Sequence, residues 1–253
     1  MKLMKIVQQQ SGLSRRKARD LIEEGEVTVN GKDEHNPFED YALEEIDRLY
    51  LRGHPLPTYP PRKRAYKFFK PTGMLCSHDD PHYGRTLGRT LRSEGFIGYR
   101  WAGRLDQDAE GLLLLSNDGQ LVHSLTHPRY EVEKRYHLWI SEELGHGKIG
   151  GIIESFMEGI EDNGDLLQIK EGSVIKLGEE HTELELVLTE GKKNEIKRLM
   201  EAVNLTIVRL RRVAIGPIEL GDMSPEDIHR VSEEEWKKLR EYRESALAQR
   251  EEG

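Results

Sequence analysis

The chain has 253 residues, 36% hydrophobic and 33% charged, enough for one large domain and a small one, with no apolar run near the roughly 18–20 residues that a membrane span needs. Its single cysteine, Cys76, excludes an internal disulfide and a cysteine-based zinc site, in keeping with a reducing compartment. The net charge of −8 argues against a uniformly basic nucleic-acid binder, yet residues 1–19 hold six bases and no acid, whereas residues 222–253 hold ten acids against six bases.

The opening MKLMKIVQQQSG has no apolar leader or cleavage pattern, so the expected location is the cytoplasm. Leu3, Ile6 and Val7 share one face of a first helix; Ser14 is a good N-cap for a second, with Ala18, Leu21 and Ile22 facing inward and Gly25 stopping it. On the opposite face Arg15, Arg16, Lys17 and Arg19 cluster, the first two near the helix N-terminus, where free N–H groups favour phosphate. Glu26 to Gly31 alternates like a short strand and ends in Asn-Gly, a tight-hairpin signal. This order, running through SGLSRRKARDLIEEGEVTVNG, resembles the S4 RNA-binding domain, and the resemblance implies that the basic helix face meets RNA phosphates. With Ile46–Leu51 as a closing strand, the S4-like domain is expected over residues 1–56, followed by a stiff, proline-rich linker at 57–64.

A second domain is expected over residues 65–231. Ala65–Phe69 reads as a strand, and the backbone limits of Pro71 and Gly73 make Lys70-Pro71-Thr72-Gly73 a turn. His78 and His82 in the following polar loop lack the spacing of a metal site. The stretch GRLDQDAEGLLLLSNDG, Gly103 to Gly119, sets Asp106 directly ahead of a buried strand of four leucines, Leu112–Leu115. A carboxylate on the rim of a packed strand is held far better than one on a free loop, as a reacting group must be. Gln120–Thr126 reads as a helix ended by Pro128; His123 and His127 on it have ligand-like spacing but no third ligand.

Tyr130–Ile140 reads as a strand, Ser141–Gly178 has several glycines and short alternating runs and says nothing of chemistry, and Leu184–Leu188 and Leu205–Leu210 read as strands. Seven bases against three acids between residues 190 and 212 suggest a second basic patch. Residues 232–253 read as a charged C-terminal helix, with Ser232 as N-cap and Glu235 completing a capping box.

The central stretch resembles the catalytic motif of the RsuA/RluB-type ribosomal RNA pseudouridine synthases. Lys70-Pro71-Thr72-Gly73, Glu133-Lys134-Arg135-Tyr136 and Glu190 to Met200 resemble the first, second and third motifs of that family in order. The resemblance implies that Asp106 is catalytic, that Tyr136 lies at the base, that Lys197 is the basic partner of the Asp, and that Leu210 packs beside the site. Arg104 and Arg198 are the implied RNA contacts of this domain. Ala109, where Thr or Ser is common, and Glu195, where Gln is usual, are departures.

The implied fold is α+β: the small S4-like domain, then a core of mixed, largely antiparallel sheet flanked by helices. The implied activity isomerises uridine to pseudouridine without cofactor or metal. Its expected partner is ribosomal RNA or a ribosomal assembly intermediate, large-subunit rRNA being favoured on the wording GLLLLSNDG, and the chain is expected to act as a monomer. Three other classes stand beside this one: a non-catalytic RNA-binding or ribosome-assembly protein, a glycoside hydrolase pairing Asp106 with Asp108 or Glu110, and a pure interaction scaffold, whose repeats or heptads the sequence does not show.

Overall fold

The structure, a computed structural model, describes residues 1–58, 63–178 and 180–248. The described residues group into two units, one drawn from Met1–Arg64, Thr90–Arg100 and Ser116–Asp118, the other from Ala65–Arg89, Trp101–Leu115 and Gly119–Gly253. Of the expected linker 57–64, residues 59–62, with Pro60 and Pro61, lie outside the described residues.

In the first unit, helix α1 (Leu3–Ser11) ends at Gly12, whose φ of 72° lets the chain leave in the left-handed conformation. Helix α2 (Arg15–Glu23) starts as expected, with the Ser14 side chain accepting from the Lys17 N–H. Strands β1 (Val27–Val29) and β2 (Lys32–Glu34) form the Asn-Gly hairpin; Asn30 and Gly31 have φ of 50° and 86°, the two positive values such a turn requires. Strands β3 (Leu49–Leu51) and β4 (His54–Leu56) complete an antiparallel sheet in the order β2-β1-β3-β4. Leu3, Ile6 and Val7 of α1 pack with Ala18 and Ile22 of α2 and with Val27, Val29 and Leu49 of the sheet. Arg15, Arg16, Lys17 and Arg19 stay on the exposed face of α2.

The second unit is built on a nine-stranded sheet. In chain order come β5 (Ala65–Lys70), α3 (Leu87–Ser93, its last residues in the first unit), β6 (Arg100–Ala102), β7 (Glu110–Ser116), α4 (Gly119–Thr126) and β8 (Lys134–Ile140). There follow α5 (His146–Glu158), β9 (Ile160–Asp162), β10 (Asp165–Leu167), β11 (Glu171–Leu177), β12 (Thr182–Leu188) and α6 (Glu195–Ala202). The chain closes with β13 (Ile207–Ile215), β14 (Ile218–Glu219), β15 (Ile228–Arg230) and α7 (Glu233–Ala248).

The sheet order is β11-β12-β8-β13-β7-β5-β15, with β9 and β10 as a separate hairpin. The β13–β7 pair is parallel, whereas β11–β12, β12–β8, β8–β13 and β5–β15 are antiparallel, which makes this the mixed, largely antiparallel sheet expected.

All of β7 is buried, and burying each of its leucines stabilises the fold by roughly 1.5–3 kcal/mol. Gly111 allows the parallel contact: at φ 107° it faces Arg212, and an added Cβ would lie 2.3 Å from the Arg212 carbonyl oxygen. The strand expected from Tyr130 starts only at Lys134, because Pro128–Tyr130 form a 3-10 turn. Helix α5 arises where only glycines and short alternating runs were read. It buries Ile149, Ile153 and Phe156, the spacing of one helical face, despite the glycines at 147, 150 and 151. Helix α7 has the expected capping box, Glu235 N–H to Ser232 Oγ at 3.1 Å and Ser232 N–H to Glu235 Oε2 at 2.8 Å. Its apolar side, Trp236, Leu239 and Tyr242, packs on the core formed by Phe69, Leu112 and Leu114.

Candidate active site

Asp106 lies in the loop between β6 and β7, and that loop is held from below by two buried cations. Lys70, fully buried at the end of β5, donates to the carbonyls of Pro71 at 3.0 Å, Gln107 at 3.4 Å and Ala109 at 2.7 Å. Burial pulls its pKa down to about 8, although the charges of Asp106 and Asp108 act in the opposite sense. Arg212 of β13, 1% exposed, donates through Nε to the Leu112 carbonyl at 2.8 Å and through Nη1 to the Arg104 carbonyl at 3.3 Å; its Nη2 is buried without a partner. The loop closes on itself as well, with the Ala109 N–H donating to the Asp106 carbonyl at 3.2 Å and the Gly73 N–H donating to Gln107 at 2.7 Å. Carbonyls on both sides of Asp106 are thus satisfied by fixed donors, and the loop has little freedom to reorient.

Lys197, on the first turns of α6, brings the expected charge to Asp106: its Nζ lies 3.4 Å from Asp106 Oδ2. It also lies 2.5 Å from Asp108 Oδ1, a contact sequence reasoning did not find. Burial opposes the Lys197 charge, but the bond to Asp108 and the charges of both aspartates outweigh it and raise its pKa. For Asp108 burial acts upward, and the Lys197 bond and charge outweigh it, so its pKa is lowered.

Asp106 and Lys197 border a cleft of about 730 Å³. Tyr136 lines it from β8, in register with Arg212 of β13, and Leu210 lines it two residues before Arg212. Exposed Arg104 is part of its wall. The wall formed by residues 189–195 is fastened by Lys134, which donates to the carbonyls of Val132 at 3.1 Å, Thr189 at 3.4 Å and Glu190 at 3.2 Å. Burial, and after it the Arg212 charge, lowers the Lys134 pKa to about 8. Asp106, Tyr136, Lys197, Leu210 and Arg104, singled out from the sequence, therefore line one cleft, whereas the roles of Lys70, Lys134 and Arg212 and the contact of Asp108 with Lys197 were missed. Alternation along β13 was the available signal for Arg212, since Leu210 and Ala214, two residues to either side, are buried.

Two expectations need correction. Arg198, expected to contact RNA, is committed to the β9–β10 hairpin: it binds the Asp162 carboxylate, the Asp165 carboxylate at 2.7 Å and the Asp162 carbonyl at 2.5 Å. The second basic patch largely dissolves for the same reason. Arg209 and Arg211 both bind Glu110, at 2.8 and 2.6 Å, Lys192 binds Glu190 and the Leu166 carbonyl, and Arg212 is inside. Lys193 and Arg209 are exposed, Arg209 with its guanidinium held by Glu110. The other departure, Glu195, pairs with neither Lys193 nor Arg198; it is buried, with Oε2 accepting from the Lys192 N–H at 2.9 Å.

Glu110, the suggested second carboxylate of a hydrolase, is buried under Arg209 and Arg211, and Asp108 is bound to the same lysine as Asp106. Among the described residues no group of three His, Cys, Asp or Glu is placed to hold a metal ion, and no helix is long and apolar enough to cross a membrane.

Residues 67–202 match the model of a family described as RNA pseudouridylate synthase, and residues 1–32 match the S4 domain. An RNA pseudouridine synthase of Aquifex aeolicus is 33% identical over 247 residues, covering 95% of this chain and 96% of the relative. The ribosomal small subunit pseudouridine synthase A of Vibrio cholerae is 31% identical, covering 93% and 97%, and the ribosomal large subunit pseudouridine synthase B of Vibrio vulnificus is 32% identical, covering 88% and 69%. A crystal structure of a pseudouridylate synthase superposes with a TM-score of 0.63 at 26% identity, covering 94% of this chain and 99% of that one.

Proposed function

Because the chain belongs to the RNA pseudouridylate synthase family, we propose that it isomerises a uridine of ribosomal RNA to pseudouridine and that Asp106 is the reacting carboxylate. The observation that carries the assignment of Asp106 is its setting: a loop pinned by Lys70 and Arg212, with Lys197 3.4 Å away, at a cleft also lined by Tyr136. The reaction breaks the N1–C1′ bond, turns the uracil, joins C5 to C1′, removes the proton from C5 and leaves one on N1. Atoms and electrons balance within the nucleotide, so the step calls for no redox group or energy source.

Asp106, with the Lys197 ammonium 3.4 Å away, acts on the ribose side of the broken bond as nucleophile or base. Tyr136 lies over the uracil and takes the C5 proton, and Leu210 supplies an apolar wall. Extracting the base from its stack costs roughly a few kcal/mol. Arg104 at the cleft and Arg15, Arg16, Lys17 and Arg19 on α2 offset part of that through phosphate contacts.

The ribosomal substrate is inferred from relatives named for the small and the large subunit. Their identities, 31% and 32%, do not favour one subunit, so the preference for large-subunit RNA drawn from the motif wording is dropped. The chain is taken to work as a monomer in the cytoplasm, where ribosomal RNA is at hand.

The test is Asp106→Asn, nearly isosteric and uncharged. In purified protein with ribosomal RNA fragments it should lose pseudouridine formation by at least about a thousandfold while binding RNA as before. Undiminished product would remove Asp106 from the reaction, and lost RNA binding would give it a structural role.

A further inference from the structure

Glu195 opens α6 and lines the cleft, yet it is only 4% exposed. Its two oxygens differ. Oε2 accepts from the Lys192 N–H at 2.9 Å and so fixes the end of the 189–195 wall; Oε1 is buried without any hydrogen-bond partner.

The charged groups around it are otherwise engaged. The Lys134 ammonium on β8 is spent on the carbonyls of Val132, Thr189 and Glu190, and the Lys192 ammonium on Glu190 and the Leu166 carbonyl. Glu190 adds a like charge, and the backbone N–H of Gln168, after β10, favours the ionised form. A carboxylate here is a buried anion without a cation bound to it, which costs much more than a neutral acid in the same place. Burial already pushes this carboxyl above the usual glutamate range, with the Lys192 amide and charge acting against it.

RNA entering the cleft would press further in the same direction, because it expels water and brings phosphate charge. We propose that Glu195 is a positioning residue that works as a neutral carboxylic acid in the RNA-bound enzyme, so that RNA binding is coupled to uptake of a proton at its carboxylate. The protonated group still presents a carbonyl oxygen to the Lys192 N–H, as an amide would, and it relieves the unpaired charge at Oε1. This rests on the reading that the cleft receives RNA.

The experiment compares wild type, Glu195→Gln and Glu195→Ala for affinity to a ribosomal RNA fragment and for single-turnover pseudouridine formation, from about pH 6 to about pH 9. Proton uptake on binding is read by calorimetry in two buffers of different ionisation enthalpy. Glu195→Gln should match wild type at about pH 6 and bind roughly tenfold tighter than it at about pH 9, with less proton uptake, since each unit of pKa change is worth about tenfold. Glu195→Ala, which cannot accept from Lys192, should turn over more slowly across the whole range. Equal proton uptake in wild type and Glu195→Gln, parallel pH profiles, or a Glu195→Gln as impaired as Glu195→Ala would overturn the proposal. The binding and uptake measurements need no turnover: RNA bound with unchanged uptake refutes Glu195 alone, RNA bound without product leaves Glu195 judged by uptake and refutes the catalytic reading, and no binding at all refutes both.

Discussion

In the first unit Arg15, Arg16, Lys17 and Arg19 stand in water along one face of α2, whereas in the second Lys70 and Arg212 are buried and, with partly buried Lys134, donate to backbone carbonyls. The first set has the arrangement of an electrostatic surface, whose effect is felt at a distance and weakens with salt. The second set acts as short, fixed fasteners: Lys70 and Arg212 hold the Asp106 loop, and Lys134 holds the opposite 189–190 segment. An excess of bases in a sequence window therefore says little about RNA until each cation's partner is known. The seven bases between residues 190 and 212 are the case in point, since most are paired with acids of the protein itself.

Among the cations, removing a fastener should have the largest effect. Lys70→Met keeps the length of the side chain and deprives the Pro71, Gln107 and Ala109 carbonyls of their donor, lowering stability by about 1–3 kcal/mol. A loop displaced by an ångström can lose about a hundredfold in kcat, and single-turnover kinetics on an RNA fragment would register it. There is a pH signature as well. A lysine whose folded pKa is about 8 binds fewer protons folded than unfolded up to its ordinary 10.5, so its contribution to stability rises with pH across that window. Denaturant titrations should show that rise in wild type and a weaker one in Lys70→Met. A variant with normal kcat and an unchanged pH slope would mean that Lys70 fastens nothing that matters.

Lys197→Met should come next, because Lys197 is shared between the two kinds of role: partly buried, but aimed at carboxylates. Its loss leaves Asp106 and Asp108 near each other without a cation. Lys197 is what holds the Asp108 pKa down, so Asp108 should take up its proton at higher pH in the variant. The acid limb of the pH–rate profile should therefore move up, with activity at about pH 6 reduced by roughly ten- to a hundredfold. A profile that superimposes on wild type would take Lys197 out of the site.

What was legible in the sequence was what local chemistry dictates. Ser14, the Asn30-Gly31 turn, the leucine strand β7 and the capping box at Ser232 each act within a few residues, and all were found where read. Asp106 and Lys197 came through resemblance, and they do meet. What failed depended on distant partners. Helix α5 was hidden because its glycines weaken local propensity, and only packing of Ile149, Ile153 and Phe156 sustains it. Arg198 looked like an RNA ligand because nothing nearby in sequence announces Asp162 and Asp165 as its partners. Thr90–Arg100 and Ser116–Asp118 group with the first unit, although they lie within the second in sequence.

The smallest effect should come from the exposed set, and its smallness is the other half of the comparison. Arg15, Arg16 and Arg19 contribute to no core, and the one ion pair among them, Arg19 with Glu23 at 3.4 Å, is an exposed i,i+4 contact worth at most a few tenths of a kcal/mol. Replacing all three by Ala should leave the melting temperature nearly unchanged and kcat at saturating RNA within about twofold, because no fastener of the cleft is touched. RNA affinity should fall by several fold at moderate salt. If each arginine meets one phosphate, the slope of log affinity against log salt should flatten by about two, the release of roughly 0.7 counterion per contact on single-stranded RNA. As salt rises, the two proteins should converge, since the lost contacts are those that salt screens first. An unchanged salt slope would make the α2 cluster a solvated face with no part in binding. A kcat loss as deep as that of Lys70→Met would erase the distinction between cations that attract RNA and cations that build the site.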